Sequence, residues 1–394
     1  MHGMSARLGR TGPNGAVPSG SQPERMRGVV KIMNVCGARP NFMKTAPLMR
    51  AYRAHQGLQP LIVHTGQHYD ANMSELFFRQ LQIPEPDINL GVGSASHAVQ
   101  TAEIMARFEP VVLEHKPQCV VVVGDVNSTI ACALVAAKLG VKVAHVEAGL
   151  RSFDRTMPEE INRLLTDAIS DLLFVSEPSG LENLEREGIP DEKVHFVGNV
   201  MIDTLKANLQ KAEQSTILER MGLEPGGYNV VTLHRPNNVD DAAAFNRIAD
   251  ALQVIQDDLP TVFSAHPRTA RNLSRLGLGE RFARMKRLHV VEPLGYLDFL
   301  KLMGKAAVVL TDSGGIQEET TILGVWCLTV RENTERPVTL TSGTNTLVGS
   351  APERILSAYR RCRSTPLAEP PVPEKWDGRA ADRIAAVLAG TGLE

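Results

Sequence analysis

Two series of short Val- and Ile-rich runs, each alternating with helical patterns, predict an α/β protein built from two doubly wound domains. The 394-residue length agrees, because single cores stop growing near roughly 250–300 residues. The runs also end in polar, glycine-bearing segments. In an open parallel sheet, ligands bind at those carboxyl ends.

The first series reads "VVKIMNVCG", "PLIVHTG", "CVVVVGD", "VKVAHVEAG", "DLLFVS" and "VHFVG". A helix-like stretch over residues 203–221 follows, and "MGLEPGG" supplies turn residues beyond it. The second series is "YNVVTLHR", "TVFSAHP", "HVVEPL", "AAVVLTDSGG" and "VWCLTV". These boundaries give an N-terminal domain over residues 27–203, a C-terminal domain over 204–375, and a last helix within 376–394. Residues 1–26, rich in Gly, Pro, Ser and Arg with no apolar block, read as a disordered extension and not as a secretory signal.

Composition is that of a soluble protein, 43% hydrophobic and 22% charged with formal net charge −2, which argues against a general nucleic-acid binder. No apolar run approaches the roughly 18–20 residues of a membrane span. The five cysteines are scattered and lack CxxC spacing, as expected of buried, reduced thiols in a cytoplasmic protein without a metal site.

Two turns invite phosphate. In "LTDSGGIQEE", Ser313 can cap a helix, and Gly314 and Gly315 leave its free amides unobstructed. Glu319 can then reach a ribose hydroxyl. The plainer alternative is an ordinary N-cap with Glu318 and Glu319 in solvent. In "GARPNFMK", Arg39 and Lys44 flank a helix start and suit a diphosphate, or are merely surface cations. Neither is a Walker A loop or a GxGxxG motif, so ATP and NAD are not indicated.

Acids gather at the same ends. Asp125 and Glu147 each follow an apolar run, and Glu159 opens "PEEINRLL". An acid beside a bound diphosphate is pushed toward a pKa useful for proton transfer. Taken singly, Asp125 could cap a helix and Glu159 could favour a helix dipole. His234, ending "VVTLHR", can donate to a phosphate or carry a proton.

The ordered set "GARPNFMK", "TGQH", "GDVNST", "HVEAGLRS", "PEEINR", "LHRPNN", "LTDSGGIQEE" and "RENTERP" resembles the non-hydrolysing UDP-N-acetylglucosamine 2-epimerases from about residue 29 onward. The resemblance implies two Rossmann-like domains facing across a cleft, as in B-type glycosyltransferases, with the last helix returning to the first domain. It implies conversion of a UDP-sugar substrate, UDP-GlcNAc to UDP-ManNAc, without an added cofactor, by a protein that forms a homodimer. It assigns Asp125, Glu147, Glu159 and His234 to catalysis. Arg39, Lys44, Ser313, Gly314 and Gly315 would grip the diphosphate, Glu319 the ribose, and Arg336 the nucleotide. Phe299 and the Leu294 backbone would meet uracil, although Phe299 in "GYLDFL" also fits an apolar core. Gln67, His68 and His266 match an activator site of bacterial members.

Many members read "GTRPE" and "HRREN", so Asn41 and Pro236–Asn238 depart from them close to the cleft. Epimerisation of another UDP-2-acetamido sugar, such as a diacetamido uronic acid, would keep every nucleotide motif. A hydrolysing epimerase, a glycosyltransferase and a non-catalytic sugar sensor are the competing classes.

Overall fold

A computed structural model of the chain describes residues 29–37, 39–66, 85–365, 367 and 372–391. The N-terminal extension over residues 1–26 lies outside the described residues, as do Gln67, His68 and the side chain of Arg39. Two sheets form, one of seven strands and one of six, and all pairings among the described residues are parallel.

The first sheet contains β1 (Val30–Cys36), β2 (Leu58–His64), β3 (Ile88–Asn89), β4 (Cys119–Val123), β5 (Lys142–Ala148), β6 (Leu172–Val175) and β7 (Val194–Phe196). Its order is β3-β2-β1-β4-β5-β6-β7. The second contains β8 (Asn229–Thr232), β9 (Thr261–Ser264), β10 (Leu288–Val291), β11 (Val308–Thr311), β12 (Trp326–Thr329) and β13 (Asn345–Leu347). Its order, β10-β9-β8-β11-β12-β13, is the winding of a dinucleotide-binding fold. The short strands β3 and β13 were not expected from sequence, because "IN" and "NTL" lack the apolar run that marks the others.

Burial explains the apolar runs. β4 is buried at all five positions and β11 at all four, as strands covered on both faces must be. All five cysteines are buried and free, and Cys36, Cys119 and Cys327 sit in strands.

The sheets share a core. One apolar cluster runs from Ile32 and Val121 of the first sheet through Met201 and Leu205 to Val230 and Val309 of the second. Helix Val200–Glu213, which spans the expected domain limit, packs on helices Arg39–Ala54, Tyr296–Gly304 and Gly314–Leu323. The last helix, Ala380–Gly390, packs against Arg39–Ala54, and Asp203 caps it by accepting from the amides of Ala380 (3.1 Å) and Ala381 (2.7 Å).

Winding order decides where a ligand can sit. Neighbouring strands run their connections in opposite directions between β1 and β4 and again between β8 and β11. A crevice opens at such a point, outside the carboxyl ends of the strands. Gly37 to Lys44 follows β1 and Asp125 follows β4, while His234 follows β8 and Asp312 to Gly315 follows β11. Lys44, Asp125, His234 and Ser313 to Gly315, all singled out from sequence, therefore border the two crevices.

Candidate active site

On the first-domain side, Glu147 comes from the end of β5, where register slips between Val146 and Ala148. The slip forces Glu147 to φ 72°, a left-handed conformation that costs a non-glycine residue roughly 1–3 kcal/mol. Its carboxylate is 4% exposed and pairs with the Lys44 ammonium through Oε2. Oε1 is buried without a hydrogen bond. Gly124 lies beneath this pair at φ 70°, and a Cβ there would stand 3.2 Å from Lys44 Nζ and 3.5 Å from Glu147 Oε2. A side chain at 124 would be strained at this φ and would crowd Lys44 Nζ.

Asp125 caps nothing. Val126 holds the N-cap position of helix Asn127–Lys138, and the Asp125 carboxylate instead pairs with Arg163. Glu159 and Glu160 open helix Pro158–Ile169 but face different surroundings. Glu160 is buried and tied down, accepting from the Ser152 amide at 2.9 Å, the Phe153 amide at 2.9 Å and Arg163 at 2.6 Å. Glu159 is half-buried and feels the charge of Arg235 from the second domain.

On the second-domain side, Ser313 holds the N-cap position of helix Gly314–Leu323, but its side chain makes no capping bond, contrary to expectation. Gly314 is required by crowding, since a Cβ would stand 2.8 Å from Glu335 Oε1 and 2.9 Å from Arg336 Nη1. Glu318 and Glu319 are not solvated; both are buried. Glu318 accepts from Arg336 Nε at 2.6 Å, and burial, together with nearby Glu147, raises its pKa despite the arginine. Burial pushes Glu319 up to about 8, with the Tyr296 hydroxyl donating to it at 3.3 Å.

Arginines crowd around one acid. Glu335 accepts from Arg336 Nη1 and from Arg331 Nη2, each at 2.7 Å, and Arg235 Nη2 lies 3.8 Å away. Burial alone would raise its pKa, but Arg336 and Arg331 hold it well below the usual carboxylate range. Three guanidiniums surround this carboxylate, and Arg331 Nη1 is a buried donor without an acceptor. His234 is 46% exposed, with Nδ1 2.9 Å from Asp312 Oδ1. Asp312, buried, also accepts from the amides of His234 and Arg235 and from Asn238 Nδ2, which fixes the histidine's seat.

The two sides meet. Arg336 Nη2 approaches Glu147 Oε1 at 3.8 Å, so the guanidinium that covers Gly314 also reaches the acid of β5. Glu177, which follows β6, accepts from the Val338 amide of the second domain at 3.4 Å and from Ser179 at 2.6 Å. Burial pushes Glu177 up to about 7.

The remaining candidates are more peripheral. Leu294 and Phe299 are half-buried and pack on the shared core, so the structural role foreseen for Phe299 is present. His266 is exposed at the N-cap of helix Pro267–Arg275, where Nδ1 accepts from the Arg268 amide at 3.2 Å. Glu177, Asp312, Arg331 and Glu335 were not singled out from sequence, although "LTDSGGIQEE" and "RENTERP" already carried three of them.

Two switch points, a helix start covered by Arg336 and Glu335, and buried carboxylates opposite it are the features of an α/β enzyme site. Residues 50–389 match the sequence profile of the family described as UDP-N-acetylglucosamine 2-epimerase. The chain belongs to this family of isomerases.

A UDP-N-acetylglucosamine 2-epimerase of Methanocaldococcus jannaschii is 43% identical over 334 residues, covering 84% of this chain and 91% of the relative. A UDP-2,3-diacetamido-2,3-dideoxy-D-glucuronate 2-epimerase of Pseudomonas aeruginosa is 41% identical, covering 91% and 99%. The crystal structure of the M. jannaschii UDP-GlcNAc 2-epimerase in complex with UDP-GlcNAc and UDP superposes with TM-score 0.85 at 41% identity, covering 91% and 99%. A Polygonum tinctorium UDP-glucosyltransferase, 13% identical with TM-score 0.58 over 92% of this chain and 99% of its own, shares the two-domain fold. Among the described residues, no helix is long and apolar enough to cross a membrane.

Proposed function

We propose that the chain interconverts UDP-GlcNAc and UDP-ManNAc by eliminating and re-adding UDP. The C2–H bond breaks, its electron pair forms the C1–C2 double bond, and the C1–O bond breaks with its pair leaving on UDP. The enzyme holds the 2-acetamidoglucal and UDP until UDP adds back and C2 takes a proton on its other face. The observation that carries this reading is Glu147. Its buried Oε1 has no hydrogen bond, while Lys44 and Arg336 approach from either side. An acid so placed can take a proton beside a diphosphate.

Asp125, Glu147 and Glu159 share the proton transfers in this reading. His234, oriented by Asp312, faces the departing phosphate. Arg39, Lys44, Ser313, Gly314, Gly315 and Arg336 hold the diphosphate, Glu319 the ribose, and Phe299 with Leu294 the uracil. Residues 27–203 and 204–375 act as the two jaws, with 376–394 returning to the first. Closure keeps water from the glycal. The unit in solution is a homodimer, which light scattering tests.

A second reading has its own support. Arg331 Nη1 lacks an acceptor in a region with three guanidiniums, and a sugar carboxylate would supply one. The Pseudomonas relative, 41% identical, is named for a diacetamido uronate.

Proton NMR in D2O with UDP-GlcNAc separates these readings. UDP-ManNAc bearing deuterium at C2, with little free UDP, supports the first. Accumulation of UDP and free N-acetylmannosamine overturns it. Inertness toward UDP-GlcNAc with turnover of the UDP-diacetamido uronate selects the second.

A further inference from the structure

Beneath the acids lies a charged cluster that the proposed chemistry does not touch. His145, on β5 two residues before Glu147, is fully buried, as is Asp167 on helix Pro158–Ile169. His145 Nδ1 lies 2.6 Å from Asp167 Oδ1, and His145 Nε2 lies 2.8 Å from the Gly124 carbonyl oxygen. Asp167 Oδ2 accepts from the Gly149 amide at 3.0 Å and lies 2.7 Å from Arg151 Nη2. Arg151 in turn donates to Glu187 through Nε at 2.8 Å and Nη2 at 2.6 Å, and to the Leu150 carbonyl at 2.8 Å.

Hydrogen-bond chemistry constrains the protons. A carbonyl oxygen only accepts, so Nε2 must carry a proton. Asp167 already takes an amide and faces a guanidinium. Against the effect of burial, His145, Arg151 and the Gly149 amide hold it below the usual carboxylate range. An ionised carboxylate only accepts, and opposite it Nδ1 would donate as well, setting His145 and Arg151 against Asp167 and Glu187.

The contacts made are to backbone, and to the backbone that matters. Gly124 precedes Asp125 and is gripped at both ends by β5, its amide donating to Val146 O at 3.0 Å and its carbonyl accepting from His145. Gly149 lies two residues beyond Glu147 and is held through its amide by Asp167 and through its carbonyl by Asn183 at 2.9 Å. The left-handed Glu147 thus stands between two clamps, His145 on one side and Gly149 on the other. Left alone, such a conformation would relax.

We propose that His145, held doubly protonated by Asp167, is a positioning residue that locks the strand ends carrying Asp125 and Glu147 into one mutual geometry. The inference rests on the reading that these two acids act at C2 of the sugar. It adds that their spacing is set from below by the buried bridge from the Gly124 carbonyl through His145 and Asp167 to the Gly149 amide. Loss of that bridge lets the β5 bulge relax, which displaces the acids from the C2 hydrogen, where an error of about 1 Å can cost about a hundredfold in rate.

Two measurements test this. In enzyme labelled with 15N-histidine, long-range 1H–15N spectra at pH 7.5 should show one histidine with both ring nitrogens protonated, and this signal should be lost in Asp167→Asn. A neutral pattern for every histidine overturns the charge assignment, whatever the variants do. For kinetics, Asp167→Ala should lower kcat for C2 deuterium exchange by roughly 30- to 100-fold while KM and UDP affinity stay within about threefold. Asp167→Asn, which can still bridge His145 and the Gly149 amide, should recover most of the rate. A kcat for Asp167→Ala within about twofold of wild type overturns the proposal, as does an equal loss of UDP affinity. If Asp167→Ala does not fold, the spectrum and Asp167→Asn decide: rescue supports positioning, and inactivity as deep as in Glu147→Gln refutes it. Wild-type enzyme that shows the imidazolium but exchanges no C2 hydrogen would sink the functional reading and leave the charge assignment standing.

Discussion

Glu147 combines three costs that a merely structural acid would not carry: a left-handed backbone, near-complete burial and an oxygen without a hydrogen bond. Replacement by Gln keeps the shape and removes the carboxylate that the proposed chemistry needs. Glu147→Gln, and likewise Asp125→Asn and Glu159→Gln, should lower turnover at least about a hundredfold while leaving UDP binding largely intact. Steady-state kinetics with calorimetric UDP titration checks this, and full activity in two of the three variants would refute the assignment. Glu319 makes a separate prediction from its environment. Its pKa rises from 4.5 unfolded to about 8 folded, chiefly through burial. The folded state therefore binds the proton more tightly, and the associated stability is complete below pH 4.5 and lost as pH climbs through 8. Relative to Glu319→Gln, the wild-type Tm should fall by several degrees between pH 5 and pH 8.5. Parallel Tm curves for the two proteins would show that this carboxyl is not held neutral.

Helix Ala380–Gly390 is an element whose place depends on a cap supplied from elsewhere in the chain. Asp203 accepts both of its first amides, and its apolar face, Ala381, Ile384 and Leu388, closes over helix Arg39–Ala54. Asp203→Ala should cost roughly 1–2 kcal/mol in denaturant unfolding and speed amide exchange over residues 380–390, whereas Asp203→Asn should cost little. Equal exchange in both variants would rule out the cap. At this scale much of the fold was legible: eleven apolar runs became strands, because parallel strands covered on both faces need continuous Val and Ile. The turn at Ser313 and the acids at strand ends were legible for a related reason, since a polar residue directly after an apolar strand must stand at the sheet's edge. What sequence could not display was partnership. Glu318 reads as a solvated helix residue until Arg336 reaches it from a loop eighteen positions on. Glu177 likewise gains its meaning only when Val338 arrives at the start of the short helix Val338–Thr341. Asp125 looked like a cap because Arg163, its actual partner, is 38 positions away.

Across the whole molecule, the two sheets share one apolar core. The largest apolar cluster is continuous from β1 through helix Val200–Glu213 to β8 and β11, and the cleft itself is bridged by Arg336 with Glu147 and by Val338 with Glu177. Neither half can expose its face of that cluster without stripping the other, so thermal unfolding should be a single cooperative transition. UDP contacts both halves in the proposed reading and should stabilise them together. At a hundred times its Kd, UDP adds about 2.7 kcal/mol. With an unfolding entropy of about 2.1 cal/mol/K per residue, the 394-residue chain should shift upward by about 3 °C as one peak. Calorimetry with and without UDP measures this directly. Two resolved peaks, of which only one moves, would mean that the halves unfold independently and that UDP is held by one of them alone. The bridge from Arg336 to Glu147 would then be a resting contact and not part of the nucleotide grip. A single peak that moves as a unit would place the ligand where both sheets pay for its loss, which is where an enzyme holding a glycal apart from water needs it to be.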